Sequence, residues 1–204
     1  LAIRRLKRTG KGGLIELSQS EALIPFFGEN LIDYQMNGRI AGPKGNDLYD
    51  MAPHNAYRCL GEDRWVAIAV GKNNEWAGLI HAMGDPDWAQ DARFATQPGR
   101  YQHRRELDEQ INAWTSQHED RWVMDTLQGK GVPAGMINDV SDMLTDPQLA
   151  ARGFFEELDR PYTGRNKYAG IVYKMENTPN SVRFPPATLG QHNDHVYRDL
   201  LGLP

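Results

Sequence analysis

The residues best suited to chemistry lie in one stretch rich in glycine, proline and asparagine, residues 36–57. Its glycines permit close backbone approach to a ligand, and connections longer than about 15 residues usually act as linkers, lids or binding elements. His54 could donate a hydrogen bond to a ligand from this loop, and a role in stabilising the turn is the alternative. Arg39 and Lys44 could meet anionic groups or remain solvated. The stretch is therefore the first place to look for function.

Three other patterns invite a chemical interpretation and fall short of it. The run Thr9-Gly-Lys-Gly-Gly lacks the first glycine and the final hydroxyl residue of a nucleoside-triphosphate loop. His192 and His195 lie one helical turn apart, but no third metal ligand is suggested. Cys59 is the single cysteine, which favours a small buried apolar residue over a nucleophile. The residues alone thus predict no nucleophile, no acid–base pair and no metal cluster.

Composition sets limits on the class of protein. The chain has 204 residues, 40% of them hydrophobic, which is enough for a packed core. Its 23 basic and 27 acidic residues give no footprint for nucleic acid, and the basic cluster within residues 4–11 is interpreted as local. No apolar run approaches the roughly 20 residues of a membrane span, and no signal-peptide pattern opens the chain. We expect a cytoplasmic protein, and the start at Leu-Ala-Ile without methionine indicates a chain entered midway.

The elements before the loop read as helix, strand and helix. The apolar spacing of residues 1–6 predicts the end of a helix that stops at Gly10. Residues 14–17 are apolar and predict a short strand. Ser18, with Glu21 three residues later, has the form of a capping box that opens a helix running to about Gln35. This order is typical of an α/β protein.

The elements after the loop predict a small α+β module over residues 53–138. Residues 56–59 and 65–70 flank a glycine-containing turn, which predicts a β-hairpin. A helix capped by Asn73 or Asn74 should end at Gly84. Two further amphipathic helices follow, the first marked by Tyr101, Leu107, Ile111 and Trp114 and the second by Trp122, Val123 and Leu127. Residues 131–138 then predict a turn and a strand.

The last quarter of the chain mixes short elements. Asp146-Pro147 opens a helical turn closed at Gly153. Residues 154–158 and 170–173 are predicted to pair as strands around residues 161–167. A proline-rich connection and a helix over residues 193–201 end the chain.

Several blocks of the sequence resemble one family, the class III CoA-transferases. Residues 5–13 are similar to that family's A-L-x-x-R-x-x-T-G-x-G-Q segment, and residues 39–46 to its glycine loop. Residues 52–57, Ala-Pro-His-Asn-Ala-Tyr, are similar to its A-P-[HY]-G-x-[FY] entry to the small domain. Further blocks agree in order: 65–70 with Trp76, 91–96 with Arg100, 131–135, 146–152, 178–179 and 189–195. The shared order and spacing make the resemblance specific.

The resemblance implies an α/β fold of the interlocked-dimer CoA-transferase type. The chain would contribute the C-terminal part of a large Rossmann-like domain plus a smaller α+β domain. Residues 1–35 would end the large CoA-binding domain, and residues 36–52 would form the glycine-rich linker and lid. Residues 53–138 would be the small domain, and residues 139–204 would return to pack towards the large domain.

The implied activity is the transfer of coenzyme A from an acyl-CoA thioester to a carboxylic acid, through mixed-anhydride and aspartyl-thioester intermediates. The family's catalytic aspartate precedes residue 1, and none of Asp33, Asp47 or Asp50 matches it, so no catalytic residue is assigned. The resemblance implies a homodimer and a missing N-terminal half or partner subunit. It implies no tightly bound cofactor, with the CoA thioester as substrate. An acyl-CoA racemase or isomerase of the same superfamily, or a noncatalytic CoA-binding or assembly subunit, is the alternative.

The same resemblance assigns binding residues. In the family, the residue after the strand that follows T-G-x-G-Q lies near the CoA thiol, which implies this place for Gln19, with Ser18 beside it. The glycine loop that closes over the acyl-aspartyl intermediate would be residues 42–46. His54 is retained as a substrate contact. Backbone N–H groups of such a loop would suit an oxyanion or a thioester carbonyl. The loop residues are Gly42, Pro43, Lys44, Gly45 and Asn46.

Overall fold

The computed structural model describes residues 1–203, and its buried side chains lie between Ala52 and Val132. At the centre is an antiparallel sheet of strands β1 (His54–Arg58), β2 (Trp65–Ala69) and β3 (Ala134–Met136), in that order. The predicted hairpin and the predicted strand within residues 131–138 are confirmed. The hairpin turn needs Gly61, whose φ of 111° is poorly tolerated by other residues.

The sheet buries one face and leaves the other open. Tyr57 on β1 lies opposite Val66 on β2, and both side chains are buried in the core. On the opposite face Ala56, Ala67 and Gly135 stand side by side across the three strands. Because side chains alternate between faces along a strand, this row of small residues makes the open face shallow.

Helices cover the buried face. They are α4 (Asn73–Ala82), α5 (Gln97–Gln102), α6 (Arg104–Thr115) and α7 (Asp120–Gly129). The apolar faces of three of these helices pack against the sheet in one cluster. The cluster includes the helix residues Leu79, Leu107, Ile111, Val123 and Leu127. These helices and strands therefore fix the position of β1 and of its side chains, from His54 to Arg58.

Two details of these helices differ from the sequence predictions. The residue that precedes α4 is Lys72, so neither Asn73 nor Asn74 is its cap. Glu75 instead accepts hydrogen bonds from the N–H groups of Gly71 and Lys72, at 2.8 and 3.0 Å. Tyr101 belongs to the separate helix α5, because the chain turns at His103 before α6 begins.

The first fifty residues contain short helices joined by irregular segments, and they contain no strand. Helix α1 (Ala2–Thr9) stops as predicted at Gly10, which has a φ of 68°. The prediction of a strand at residues 14–17 is wrong. A strand needs a partner for its backbone hydrogen bonds, and no strand among residues 1–203 pairs with this segment. The predicted helix from Ser18 is divided into α2 (Gln19–Leu23), a 3-10 turn and α3 (Gly28–Asn37). Pro25 in that turn lacks an N–H group for a continuous helix.

The C-terminal part carries α8 (Val140–Thr145), α9 (Pro147–Ala151) and a hairpin of β4 (Phe155–Arg160) with β5 (Gly164–Ala169). Asp146 caps α9 through the N–H of Leu149, as the Asp-Pro pattern predicts. The predicted second strand at residues 170–173 is wrong, because the tight turn at Tyr162 and Gly164 starts the return strand earlier. The final helix is a π-helix, His195–Leu200.

Large apolar side chains outside the core stay exposed. Leu14 is 94% exposed, Phe26 83% and Ile40 84%. Apolar patches of this kind on a soluble protein usually mark interaction surfaces. No helix within residues 1–203 combines the length and apolar character that a membrane crossing requires.

Candidate functional site

The glycine-rich loop runs from the end of α3 to the start of β1. Gly38 ends α3 with a φ of 66°, and its N–H donates to the Tyr34 carbonyl. Gly42, Pro43 and Lys44 are exposed. A turn follows in which Asp47 N–H donates to the Lys44 carbonyl at 3.2 Å, with Gly45 at a φ of 62°.

The first residue of β1, His54, meets the far end of this loop. Its Nδ1 lies 2.6 Å from the backbone carbonyl oxygen of Asn46. A carbonyl oxygen only accepts hydrogen bonds, so this contact places the proton on Nδ1. In the neutral ring Nε2 then carries the lone pair and is the atom available to a ligand.

The side chain of Asn46, which is exposed, begins a polar network that runs into the partly buried space between β1 and α6. Its Nδ2 donates to Oδ1 of Asn55 at 2.8 Å, and Nδ2 of Asn55 donates to Asp108 on α6 at 3.1 Å. The Tyr57 hydroxyl donates to the other Asp108 oxygen at 2.6 Å. Burial raises the pKa of the Asp108 carboxyl, while the two donated hydrogen bonds oppose that rise. Burial and the neighbouring Asp108 carboxylate raise the pKa of the Tyr57 hydroxyl.

A second set of contacts holds the loop just beyond Asn46. Arg104 pairs with Asp47 at 2.7 Å and lies over the Tyr101 ring at 4.6 Å. Tyr49 packs edge-on against Tyr101, and Gln97 donates to the Tyr49 carbonyl at 2.7 Å. Within residues 1–203, no hydrogen bond or ion pair joins residues 39–45 to α5 or α6. The loop therefore has an anchored end and an unanchored tip.

The peptide before His54 is held by a buried arginine. Arg100 is 0% exposed and donates to the carbonyls of Ala52 at 3.0 Å and Phe94 at 3.1 Å. Its guanidinium carbon lies 5.1 Å from the centre of the Trp76 ring. Burial lowers the pKa of the Arg100 guanidinium, and no carboxylate among residues 1–203 forms an ion pair with it. Arg100 thus fixes the backbone that leads into β1.

A groove of about 530 Å³ opens beside His54 on the open face of the sheet. Small side chains of β1 and β2 form its floor, and Pro133 and Gly135 lie along it. Asn46 and His54 supply polar groups at one end. Such a groove suits a small ligand that has an apolar part and one polar group.

The other predicted site residues lie apart from this groove. The Ser18 hydroxyl accepts from Glu21 N–H at 3.3 Å as the cap of α2, and Gln19 is the first residue of that helix. Gly42 borders a different groove beside α3. Among residues 1–203, no hydrogen bond links Ser18 or Gln19 to the loop. Of the predicted binding residues, only Asn46 and His54 meet directly.

Three other residues considered in the sequence analysis, Arg39, His195 and Cys59, lie outside this groove. Arg39 pairs with Asp33 at 2.9 Å on the surface. His195 has its Nδ1 3.1 Å from Asp199, one turn along the same helix. Cys59 is buried, as predicted.

Comparison with known proteins decides the family. The family model described as CoA-transferase family III matches residues 1–193. The chain belongs to this family. It is 33% identical over 203 residues to succinyl-CoA–D-citramalate CoA-transferase of Chloroflexus aurantiacus, covering 100% of this chain and 50% of that protein. It is 27% identical over 203 residues to formyl-CoA:oxalate CoA-transferase of Rhodopseudomonas palustris, covering 98% and 45%.

A solved structure agrees with this family III assignment at the level of the fold. A CAIB/BAIF family protein from Brucella suis superposes with a TM-score of 0.81 at 24% identity. The match covers 97% of this chain and 50% of that one. The chain spans about half the length of the curated relatives it matches. The predicted family is confirmed, and the mixed α/β class with it.

Sequence reasoning missed the residues that support the site of this family III chain. Asn55, Tyr57 and Asp108 form one network, but Asp108 lies more than fifty residues from its partners. The only local signal was the asparagine at position 55, where the quoted motif has glycine. Arg100 stood in a matching block, which did not reveal that it is buried.

Proposed function

We propose that this chain is the C-terminal part of an enzyme that transfers coenzyme A from an acyl-CoA thioester to a carboxylic acid. The observation that carries the proposal is the family match over residues 1–193, combined with the half-length coverage of relatives that are themselves named CoA-transferases. The catalytic aspartate would lie on a segment before residue 1. We expect the intact enzyme to be cytoplasmic.

Exposed apolar surface supports a missing half or a partner subunit. Leu14, Ile15 and Leu17 lie on a segment that belongs to no helix or strand, and their side chains are largely exposed. A strand of a Rossmann-like large domain would supply the absent neighbour. Two relatives carry the names alpha and beta subunit of succinyl-CoA–L-malate CoA-transferase. We propose an interlocked homodimer, with residues 1–35 and 139–204 packed on the large domain.

The proposed chemistry consists of four balanced acyl exchanges. The aspartate carboxylate attacks the thioester carbonyl, which forms a mixed anhydride and releases the CoA thiolate. The thiolate attacks the aspartyl carbonyl, giving an aspartyl thioester and the free donor acid. The acceptor carboxylate then attacks that thioester, and the released thiolate attacks the acceptor acyl carbonyl. The products are the new acyl-CoA and the original aspartate.

The residues of this chain would bind and enclose the reacting groups. The unanchored tip of the loop, Gly42 to Gly45, can close over the intermediate while Asn46 stays fixed. The tip would then act as an active-site lid, with the anchored end of the loop as its hinge. Its backbone N–H groups can meet developing negative charge on an acyl oxygen. His54 would contact the acid bound in the sheet groove. Ser18 and Gln19 would lie near the CoA thiol once the large domain is present.

Transfer is favoured over racemisation by the relatives' names, since those cited above are transferases. The test uses the intact natural protein that carries this chain, incubated with succinyl-CoA and a panel of carboxylic acids. A new acyl-CoA is the expected product, and hydroxylamine should trap the aspartyl thioester as a hydroxamate. Exchange of the α-proton with solvent deuterium, without any new acyl-CoA, would favour the racemase. The 204-residue chain alone should transfer no CoA, because no nucleophile is assigned to it.

A further inference from the structure

We propose that Asn55 and Asp108 are positioning residues, which hold the Asn46 carbonyl against His54 so that Nε2 of His54 faces the acid bound in the sheet groove. The substrate part of this inference rests on the proposed function. The positioning part rests on geometry alone.

Asn55 is the connector, and its amide is oriented by three hydrogen bonds. Oδ1 accepts from Asn46 Nδ2 and from Ala56 N–H, both at 2.8 Å. Nδ2 donates to Asp108 at 3.1 Å. If the Asn55 amide were reversed, its NH2 group would face the N–H donors of Asn46 and Ala56, and its oxygen would face the Asp108 oxygen, so all three hydrogen bonds would be lost. The Asn55 side chain is therefore fixed in one orientation.

Asp108 gives this connector a rigid base. It lies on α6 next to Leu107, which is fully buried, and it accepts from Tyr57, a core side chain of β1. One turn earlier on the same helix, Arg104 holds Asp47 at 2.7 Å. Helix α6 thus holds the loop on both sides of the Asn46 carbonyl, once through Asp47 and once through Asn55.

The strand does not need Asn55 to stay in place. Strand β1 pairs with β2 over its five residues, and its far end is tied to α6 where Asn112 accepts from Arg58 N–H at 2.9 Å. What the Asn55 side chain adds is the link from Asp108 on α6 to the Asn46 side chain. Without that link the Asn46 carbonyl can move, and His54 loses the acceptor that keeps its proton on Nδ1.

The experiment compares Asn55→Ala with Asn112→Ala in the intact protein, each also combined with His54→Gln. Asn112→Ala is the matched control, because it removes one asparagine bond between β1 and α6 away from His54. We expect Asn55→Ala to lower kcat/KM by on the order of tenfold, since small displacements of a positioned group have effects of at least this size. In the His54→Gln background it should cause no further loss. Asp108→Ala, which removes the acceptor of the Asn55 Nδ2–H group, should behave like Asn55→Ala.

A second readout works without activity. Proton–nitrogen NMR of the histidine-labelled protein, with His54 assigned through His54→Gln, reports its tautomer directly. We expect the Nδ1–H form in the natural protein and in Asn112→Ala, and a mixture in Asn55→Ala. An unchanged tautomer in Asn55→Ala, or losses from Asn55→Ala and His54→Gln that simply multiply, would overturn the positioning role. If the natural protein transfers no CoA, the proposed function fails, and the tautomer still decides the positioning role.

Discussion

At the scale of single residues, Gly45 should matter more for turnover than for stability. Its φ of 62° is strained for any other residue, while an added Cβ would meet no atom within 4 Å. A non-glycine residue held in this region costs on the order of 1–3 kcal/mol, so Gly45→Val should shift the exposed turn rather than disturb the core. We expect a clear loss of kcat in the intact enzyme with little change in the unfolding midpoint.

Gly42→Val is the control for that prediction. Gly42 has an ordinary φ, and its added Cβ also meets open space. It should retain more activity than Gly45→Val if backbone conformation is the cause. An equal fall in thermal stability and turnover for Gly45→Val would contradict the proposed role of the loop tip as a lid.

Arg100 should be the residue whose loss most weakens the fold near His54. Arg100→Met leaves the carbonyls of Ala52 and Phe94 without their donor in a buried place. Each unpaired buried group costs about 1–3 kcal/mol, so the free energy of unfolding should fall by roughly 3 kcal/mol in urea denaturation. Arg105→Ala, at an exposed position on α6, should change it by less than about 0.5 kcal/mol. A neutral Arg100→Met would show that water replaces the lost bonds.

How far single residues could be predicted follows from the distance between partners. His54 and Asn46 lie eight residues apart in one loop. The composition of the loop indicates His54, and the resemblance to the family's glycine loop indicates Asn46. Asp108 and Arg100 have partners some fifty residues away, so no local pattern marks them. Ser18 shows the opposite case. The Ser-x-x-Glu pattern predicts that Ser18 caps a helix, and the hydrogen bond from Glu21 N–H confirms the cap. The position of Ser18 near the CoA thiol remains a prediction, because it depends on the large domain.

At the scale of elements, one arginine joins the central hairpin to α7 and α8. Arg64 lies 2.7 Å from Asp120 and 2.8 Å from Asp142, and Asp139 is 3.7 Å away. The contact between Arg64 and Asp120 is close, but Oδ2 of Asp120 receives no well-aligned hydrogen bond. The Arg64 guanidinium, together with the N–H of Asp139, holds the pKa of the Asp142 carboxyl below its usual range.

This lowered pKa makes the docking of α8 dependent on pH. A carboxyl whose pKa is lower in the folded state stabilises the fold above its unfolded pKa of about 3.9, and that contribution disappears as the pH falls through the folded value. We expect Asp142→Asn to lower the urea midpoint at pH 7 and to have little effect at pH 2. Asp125→Asn, an exposed position on α7 without an ion pair among residues 1–203, is the control. A loss of the same size at both pH values would contradict the ion-pair explanation.

Elements were predictable where local and tertiary signals agree. The hairpin of β1 and β2, the stop at Gly10 and the cap at Asp146 all follow from turn or cap chemistry, and all are confirmed. The strand at residues 14–17 failed because a strand needs a partner that residues 1–203 do not supply. The strand at residues 170–173 failed because Gly164 begins the return earlier, which the apolar pattern of the later residues concealed.

At the scale of the whole molecule, the burial of side chains divides the chain. Buried residues lie between Ala52 and Val132, and the apolar residues before and after that span are largely exposed. The small domain predicted over residues 53–138 stays a prediction. The division predicts that the central part can fold without the rest, whereas the flanks need a surface that the described residues do not provide.

Separate expression of residues 52–145 tests this division. The fragment keeps the whole buried cluster and adds α8, so that Arg64 retains Asp139 and Asp142. We expect one cooperative thermal transition and weak binding of a hydrophobic dye, whereas the 204-residue chain should bind the dye strongly through its exposed flanks. Ile111→Ala in the fragment should cost about 2–5 kcal/mol, because Ile111 is fully buried. A fragment without a cooperative transition, or one that binds dye as strongly as the whole chain, would place stabilising contacts outside residues 52–145. The small domain would then depend on its flanks, and the lid would be anchored to a body that forms only in the complete enzyme.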